Sequence, residues 1–281
     1  MKVKLWGTRG SIPVPGPETV KYGGNTTCVE VTFDDNTFFV IDAGIGIRKL
    51  GQSLFERKIH HVNLYITHSH WDHIQGFPFF KPAFNSKNSI NIYGCPPTYR
   101  KLQDILTNQM EYEYFPVKFE DLTAEIDFTE VCLSMFVINE NVFHTIQTNH
   151  PGNTTGLKIE SNGKIFIFLT DNELQPPPNS HNNTQWADFV EFCHNADVLI
   201  HDAQFTDDEI PKKLGWGHSS TGQAIRLATE AKVKALYMTH HDPEHTDAFI
   251  DKMYDGHLQE LKQQGNPLKL FMAKDGLEIQ L

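Results

Sequence analysis

The seven residues from 67 to 73, Thr-His-Ser-His-Trp-Asp-His, constrain this chain more than any other feature. They place three imidazoles and a carboxylate directly after an apolar run that is typical of a β-strand. In an extended segment, residues two apart point to the same side, so His68 and His70 can bind one metal ion from the strand end. The chain then turns, which lets Asp72 and His73 reach a second ion. Divalent metals such as zinc accept both ligand types, so the motif predicts a hydrolytic two-metal site.

Further ligands are expected where other strand-like runs end. His150 lies in a loop, marked by Pro151 and Gly152, that follows an apolar stretch. Asp171 directly follows the run 165–170. A carboxylate at the end of such an apolar run needs a partner that offsets its desolvation, and a bridging position between two metal ions is one solution. We therefore predict both His150 and Asp171 as ligands.

A near repeat in the chain supplies the last candidate. Residues 236–240, Leu-Tyr-Met-Thr-His, closely match residues 64–68, Leu-Tyr-Ile-Thr-His, which suggests two similar halves that each end a core strand with a histidine at the same edge. His240 and His241 compete for this ligand position. Because consecutive residues of a strand face opposite sides, only one of them is expected to bind metal. The match with His68 favours His240 and leaves His241 to support the ligands or to face the substrate.

The predicted centre therefore holds two divalent ions and one bridging carboxylate. The first ion takes His68, His70 and His150, the second takes Asp72, His73 and His240, and Asp171 bridges them. Asp42, which follows the run 38–41, is a candidate for orienting the metal loop through hydrogen bonds, and the cap of an Asx-type turn is the alternative. Zinc is the expected metal, with manganese or iron as alternatives, because the same nitrogen and oxygen ligands serve all three.

Composition limits the partners and the location of such a protein. Lys and Arg number 24 against 35 Asp and Glu, a formal charge of −11, which argues against a broad electrostatic grip on nucleic acid. The four cysteines show no Cys-x-x-Cys spacing, so we expect neither a zinc knuckle nor a disulfide framework, and we expect a cytoplasmic location. The sequence has no apolar signal core and no run of 18 apolar residues, so secretion and membrane insertion are not expected.

Residues 1–281 are expected to form one domain. Strands are predicted at 2–6, 28–33, 37–41, 62–66, 156–161, 164–169, 198–201 and 235–239. Helices are predicted at 45–54, 99–110, 184–194 and after an N-cap at Ser219 or Ser220. Segment 77–131, rich in aromatic residues and proline, is interpreted as an insertion that forms a lid over the site. Its aromatic side chains are expected mainly to pack the insertion, with stacking on a nucleobase as the alternative.

The motif at 67–73 contains the complete His-x-His-x-Asp-His signature of the metallo-β-lactamase superfamily, and the chain therefore resembles that family. The family's Asp-x-Gly turn, third-motif His, bridging Asp and last His fall in order at Asp42 to Gly44, His150, Asp171 and His240. The resemblance covers residues 1–245 approximately. It implies an α/β (α+β) fold, the four-layer αββα sandwich, with the metal ions at one edge between the sheets.

Two further segments resemble the phosphodiesterase branch of the superfamily. Residues 216–224 are similar to the Gly-His-Ser-Thr helix start of tRNase Z and related enzymes, which implies that His218 acts beside the scissile phosphate as proton donor or charge stabiliser. An ordinary histidine of a capping loop is the alternative. Asp202 is a candidate partner of His218, although tRNase Z typically has Glu there. Asp72 is counted with His218 as catalytic, and Arg9 is either a phosphate contact or a solvated loop residue.

The resemblance leaves the substrate open. Bacterial tRNase Z carries a long RNA-binding arm between the third-motif His and the bridging Asp, whereas only 20 residues, a predicted hairpin, separate His150 from Asp171. We therefore expect a binuclear metal-dependent phosphodiesterase that hydrolyses a small phosphodiester, a cyclic nucleotide or a cyclic ribose phosphate, with nucleic acid a poor substrate. The alternatives are a tRNase Z-like RNA 3′-processing endonuclease and a thioester or lactone hydrolase of the same fold. The resemblance also implies a homodimer.

Overall fold

The computed structural model describes residues 1–97, 99–180 and 182–281. Within these residues, fourteen strands form two sheets of seven strands each. In spatial order, the first sheet contains β14 (Glu278–Gln280), β1 (Lys2–Gly7), β2 (Cys28–Thr32), β3 (Phe38–Ile41), β4 (His61–Ile66), β5 (Ser89–Gly94) and β6 (Glu125–Glu130). The second sheet contains β13 (Lys269–Met272), β12 (Ala235–Thr239), β11 (Val198–Asp202), β10 (Lys164–Leu169), β9 (Thr155–Ser161), β8 (Asn141–Gln147) and β7 (Met135–Ile138).

Helices cover the outer face of each sheet. The first sheet is covered by α1 (Gly46–Arg57) and α3 (Leu102–Asn108), and the second by α4 (Trp186–Phe192), α5 (Thr221–Glu230) and α6 (Asp247–Gln263). A single turn, α2 (Trp71–Ile74), lies within the motif at 67–73. This order of layers confirms the expected αββα sandwich. In the part of the chain that the structure describes, no helix is both long enough and apolar enough to cross a membrane.

Both faces of the central strands are buried, which explains why these strands are apolar almost throughout. In β3, Phe39 packs in the core between the two sheets, whereas Val40 packs in the cluster that contains Leu50 of α1. In β10, Phe168 likewise faces the other sheet, and Leu169 faces the helices on the outer side. Alternate residues of one strand therefore tie a sheet to the core on one side and to its helix layer on the other.

Parallel pairing determines where the functional residues meet. Strands β3 to β6 are parallel to one another in the first sheet, as are β10 to β13 in the second. The carboxyl-terminal ends of parallel neighbours lie at the same edge of a sheet. The two copies of the near repeat fall on β4 and β12, one in each sheet, as the sequence suggested. These strands end two residues before His68 and one residue before His240, both of which belong to the candidate centre.

The predicted strands and helices are found with small shifts at their ends, and helix α5 begins after the N-cap Ser220, whose hydroxyl accepts a hydrogen bond from the backbone N–H of Gln223. Several elements had no sequence prediction, among them α6 and the edge strands β7 and β14. The position of β14 depends on pairing with β1 at the opposite end of the chain, with Lys2 opposite Gln280. A short run of alternating polar and apolar residues does not indicate which strand it will pair with.

Segment 77–131, which the sequence suggested was an insertion, is not an insertion throughout. It contains β5 and β6, which continue the first sheet beside β4 in parallel pairing. These strands are part of the sandwich itself. Between them, residues 95–97 and 99–124 lie outside the sheet and include α3, whose Leu102 and Leu106 are anchored in the core of the first helix layer.

The expectation that the chain has no disulfide is wrong. Cys95 and Cys132 form a disulfide bond, while Cys28 and Cys193 are buried free thiols. The cause is the parallel pairing of β5 with β6, which places the ends of these two strands side by side although the cysteines are 37 residues apart in sequence. The spacing of the cysteines in the sequence does not indicate such a contact. With this disulfide present, the cysteine pattern no longer argues for a reducing compartment.

Candidate metal centre

The predicted ligands lie together at the carboxyl-terminal edge of the strands. His68 follows β4, Asp171 follows β10 and His240 follows β12. The short helix α2 begins directly after His70 and carries two further candidate ligands of the motif. His150 comes from the loop between β8 and β9. Residues from both sheets, distant in sequence, therefore form one site.

The ligand atoms fall into two groups, and within each group they lie within 4.8 Å of one another. The first group is His68, His70, His150 and Asp171, and the second is Asp72, His73, Asp171 and His240. This division is the one predicted from the sequence, and Asp171 belongs to both groups.

The two carboxylate oxygens of Asp171 face different groups. Its Oδ2 lies 3.5 Å from Nε2 of His68 and 3.5 Å from Nε2 of His150. Its Oδ1 lies 3.1 Å from Nε2 of His73 and 3.2 Å from Nε2 of His240. Asp171 is 2% exposed, and the Thr170 hydroxyl donates a hydrogen bond of 2.7 Å to Oδ1. The arrangement suits a carboxylate that bridges two cations.

The donor atoms fit metal ions better than they fit one another. Nε2 of His68 and Nε2 of His73 are buried without a hydrogen-bond partner, although carboxylate oxygens are nearby. A buried polar atom without a hydrogen-bond partner destabilises the folded state. A divalent cation that accepts the lone pairs of these two nitrogens would remove this cost. Imidazole and carboxylate together are the ligands of zinc and similar metals. The residues present therefore fit a divalent metal centre.

The second nitrogen of each of four histidines has an oxygen partner. Nδ1 of these rings approaches Asp42 Oδ2 (His73, 2.8 Å), the Gly217 carbonyl (His150, 2.8 Å), Gln204 Oε1 (His240, 3.1 Å) and Thr67 Oγ1 (His68, 3.2 Å). Such contacts set the orientation of a ring and leave Nε2 for a metal. Contacts within the protein therefore fix the orientation of these four rings.

Asp42 has the orienting contacts that the sequence suggested. Its carboxylate is fully buried and accepts hydrogen bonds from both the backbone N–H and the hydroxyl of Thr67. Its other oxygen lies 2.8 Å from Nδ1 of His73. One carboxylate thus connects the start of the metal-binding loop to its last histidine. Its backbone φ of 64° lies in the left-handed region, which Asp tolerates better than most residues.

His218 and Asp202 form a close pair beside this cluster. Nδ1 of His218 lies 2.7 Å from Oδ2 of Asp202, a carboxylate that is fully buried. The backbone N–H groups of Asn172 and Gln204 also donate to Asp202, at 3.1 and 3.0 Å. The His218 ring stacks on His240 with ring centroids 5.0 Å apart. Asp202, His218 and His240 also form a third group of neighbouring ligand atoms, but the direct contact between Asp202 and His218 favours an orienting pair.

Two predicted site residues point elsewhere. Arg9 is fully buried, and its guanidinium donates to the carbonyls of Gly23, Asp242 and His245, so it is neither a solvated loop residue nor a phosphate contact. Nε2 of His241 lies 2.8 Å from the carbonyl of Ala273, so His241 does not face the substrate. Both side chains hold together the loops behind the centre. Their positions depend on partners far away in the sequence.

Sequence reasoning missed the residues that support the histidines through backbone or amide groups. Gln204 holds His240, and the carbonyl of Gly217 holds His150. Glu173 is buried and accepts hydrogen bonds from the N–H groups of Gly215 and Gly217, which fixes the loop that ends at His218. Burial raises the pKa of Glu173. The only sequence signal was that Gln204 and Glu173 lie within two residues of a predicted site residue.

Burial and charge set the protonation of the metal-free centre. Burial lowers the pKa of His150 to about 4, which keeps this imidazole neutral. Burial alone would also lower the pKa of His240, but the charge of Asp171 and the contact with Asp72 raise it to about 9. In the absence of metal, His240 is therefore protonated at neutral pH.

Metal binding should release a proton from His240, because a metal ligand must bind through an unprotonated nitrogen. The apparent metal affinity should therefore keep rising with pH up to about 9, rather than level off near the usual histidine pKa of about 6.5. Competition with a chromophoric chelator across this pH range measures the affinity, and calorimetry in buffers of different ionisation enthalpy counts the protons. An affinity that is constant above neutral pH would contradict the expectation.

Similarity to known proteins shows the family to which this chain belongs. A family model described as "Beta-lactamase superfamily domain" matches residues 37–241. The chain belongs to the β-lactamase superfamily. Among its relatives in the superfamily is ribonuclease Z of Picrophilus torridus, which is 25% identical over an alignment that covers 88% of this chain and 87% of the relative.

Solved structures show the same fold. The short form of human tRNase Z superposes with a TM-score of 0.66 at 20% identity. The superposition covers 100% of this chain and 99% of the chain of the human protein. A diphosphatase of the PhnP family superposes with a TM-score of 0.69 at 18% identity, and the superposition covers 100% of this chain and 97% of the diphosphatase. With the ligand set described above, membership of the β-lactamase superfamily makes this chain a metal-dependent hydrolase. The relative named ribonuclease Z is at odds with our expectation, based on net charge, that nucleic acid is a poor substrate.

Proposed function

We propose that this hydrolase is a phosphodiesterase with a binuclear zinc centre, whose substrate is a small phosphodiester, either a cyclic nucleotide or a cyclic ribose phosphate. The observation that carries the proposal is the pair His218–Asp202 beside the ligand cluster. A lone metal centre would serve ester or thioester hydrolysis equally well. An imidazole held by a buried carboxylate adds a group that can donate a proton to the leaving alkoxide of a phosphodiester, whereas the thiolate that leaves in thioester hydrolysis needs little protonation.

The residues divide into two functions. The seven ligands His68, His70, Asp72, His73, His150, Asp171 and His240 hold the ions. When bound, two divalent ions supply the positive charge that activates water and offsets the charge of the phosphoryl oxygens. His218 lines the same cavity of about 470 Å³ as five of these ligands, namely His70, Asp72, His150, Asp171 and His240. Since its Nδ1 is engaged by Asp202, Nε2 remains to protonate the leaving oxygen.

Two features support a small substrate over RNA. Strands β9 and β10 form a tight hairpin whose turn contains Asn162 and Gly163, so residues 151–170 form no extended arm. The net charge of −11 disfavours a long polyanion. RNA 3′ processing is the second candidate, since a relative that covers most of the chain is named ribonuclease Z. The diphosphatase among the structural neighbours is in line with hydrolysis of a phosphate-containing bond.

The test is a substrate panel on protein reconstituted with zinc or with manganese. It contains 3′,5′- and 2′,3′-cyclic nucleotides, bis-p-nitrophenyl phosphate, a precursor tRNA with a 3′ trailer, a thioester and a lactone. We expect turnover of the cyclic phosphodiesters, with the precursor tRNA left intact. Preferred cleavage of the tRNA would establish the second candidate, and turnover of only the thioester or lactone would overturn both.

A homodimeric state and a cytoplasmic location complete the proposal. The homodimer rests on the resemblance to the phosphodiesterase branch, and light scattering coupled to size-exclusion chromatography tests it. A mass equal to one chain of 32.1 kDa would contradict it. Fractionation of cells that express the tagged chain tests the location.

A further inference from the structure

An aromatic cleft adjoins the metal centre. Its volume is about 720 Å³, and five aromatic side chains line it: Trp71, Phe79, Tyr99, Tyr114 and Phe115. Ser69 and Trp71 line both this cleft and the cavity of the metal centre. A molecule whose reacting bond lies at the metal ligands can therefore extend directly into the cleft.

These aromatic rings are far more exposed than structural packing requires. Trp71 is 80% exposed and Tyr114 is 78% exposed. Phe79 and Phe115 pack edge to face with ring centroids 5.3 Å apart, and Phe79 is still 53% exposed. A concentrated apolar surface of this kind usually marks a binding site.

The wall of the cleft is held in place from behind. Ile105 of α3 lines the cleft, while the neighbouring Leu106 is fully buried in the core of the first helix layer. Beyond the cleft, Phe119 stacks on Phe77 with ring centroids 6.1 Å apart. The disulfide between Cys95 and Cys132 closes the base of the same segment. The aromatic rings are therefore presented by an anchored wall, which lowers the entropic cost of binding a flat ligand.

Polar groups in the cleft indicate what kind of flat ligand fits. Gln109 lines the cleft, and its Nε2 is buried without a hydrogen-bond partner. Arg100 adds a cation at the same wall. A hydrocarbon chain would leave the amide donor unsatisfied, which is costly, whereas a heteroaromatic ring has acceptor atoms in its plane and two faces for stacking.

We infer that this cleft binds the nucleobase of the substrate, stacked on the aromatic rings and hydrogen-bonded to Gln109, while its phosphodiester lies at the metal centre. The inference rests on the proposed phosphodiesterase function and narrows its substrate class to nucleotides that carry a base. It gives the aromatic residues Phe79, Tyr114 and Phe115 a recognition role in place of the packing role that the sequence favoured.

The test compares two substrates that differ only in the base. One is a 2′,3′-cyclic nucleotide, and the other is methyl β-ribofuranoside 2,3-cyclic phosphate. We expect Tyr114→Ala to lower kcat/KM for the cyclic nucleotide by about 10- to 100-fold, the size of an aromatic–base stacking contribution, and to leave the base-free substrate unchanged. Gln109→Met keeps the shape of the side chain and removes the donor, so it should also act on the nucleotide alone. Tyr112→Ala is the matched control, since Tyr112 is 76% exposed in the same segment but does not line the cleft.

Equal losses for both substrates in Tyr114→Ala, or an equal loss in Tyr112→Ala, would overturn base binding. Failure of the proposed function is recognised separately, because the wild-type protein would then cleave neither of these substrates nor any 3′,5′-cyclic nucleotide. In that event equilibrium dialysis of the metal-loaded protein against the four nucleosides decides the matter. Binding that Tyr114→Ala weakens and Tyr112→Ala does not would support the cleft assignment, and absence of binding would overturn it.

Discussion

Asp171→Ala should abolish both metal loading and hydrolysis. Asp171 presents one carboxylate oxygen to each ligand group, with contacts of 3.1 to 3.5 Å to four histidines. No other described residue belongs to both predicted ligand groups. Loss of a residue that only supports a ligand typically costs 10- to 100-fold in metal affinity, so we expect a loss of more than about 100-fold here. Metal content after dialysis, measured by plasma mass spectrometry, and turnover of bis-p-nitrophenyl phosphate measure the two effects.

The variant could fail through its fold rather than its metal site, because Asp171 is buried among imidazoles whose charge it offsets. His70→Ala removes a ligand from the exposed edge of the first group and disturbs packing less. We expect it to lose the same activity while retaining its thermal transition. His144→Ala, a histidine of β8 that belongs to neither group, is the control and should bind metal normally. Hydrolysis of phosphodiesters by metal-depleted His70→Ala protein would refute the two-metal scheme.

His218→Ala should differ from Asp171→Ala in its effect on metal binding: metal loading should be retained, while turnover is lost. His218 lies outside both predicted ligand groups, and its ring is placed by Asp202 and by stacking on His240. Loss of a positioned proton donor costs about 10²- to 10⁴-fold in rate. The loss should appear in kcat, because the proton is needed only as the leaving alkoxide forms.

Asp202→Asn tests the pair more finely. The amide preserves the size of the side chain but removes the charge that orients the His218 ring, so we expect a smaller loss of kcat with normal metal content. A substrate with a good leaving group, such as p-nitrophenolate, needs less protonation and should be affected less by either change. If His218→Ala matches the wild-type protein on cyclic nucleotides, the observation that carries the proposed function has no catalytic meaning.

The ligand set could be proposed from the sequence because its strongest part is local. His68, His70, Asp72 and His73 lie within six residues, so strand geometry and one turn bring them together whatever the rest of the chain does. Because a strand alternates its faces, only one of His240 and His241 was expected to bind metal, and the match with residues 64–68 favoured His240. The structure places His240 beside Asp72 and Asp171.

Long-range contacts were beyond this reasoning. The partners of His150 and His240, a carbonyl of Gly217 and an amide of Gln204, carry no pattern of their own. Arg9 looked suited to phosphate because a free guanidinium is, yet three distant carbonyls engage it. The bond between Cys95 and Cys132 follows from the pairing of two strands that the sequence had assigned to a lid.

Spacing and periodicity along the chain were thus sufficient for the composition of the candidate centre, because it depends on where apolar strands end and which donors follow, whereas the sandwich class was implied by the family resemblance that these motifs carry. The orientation of each ring, the pair His218–Asp202 in contact and the aromatic cleft beside Trp71 were decided only when the chain folded. They depend on which strand ends meet at one edge, and that is a property of the pairing of distant segments rather than of any single segment.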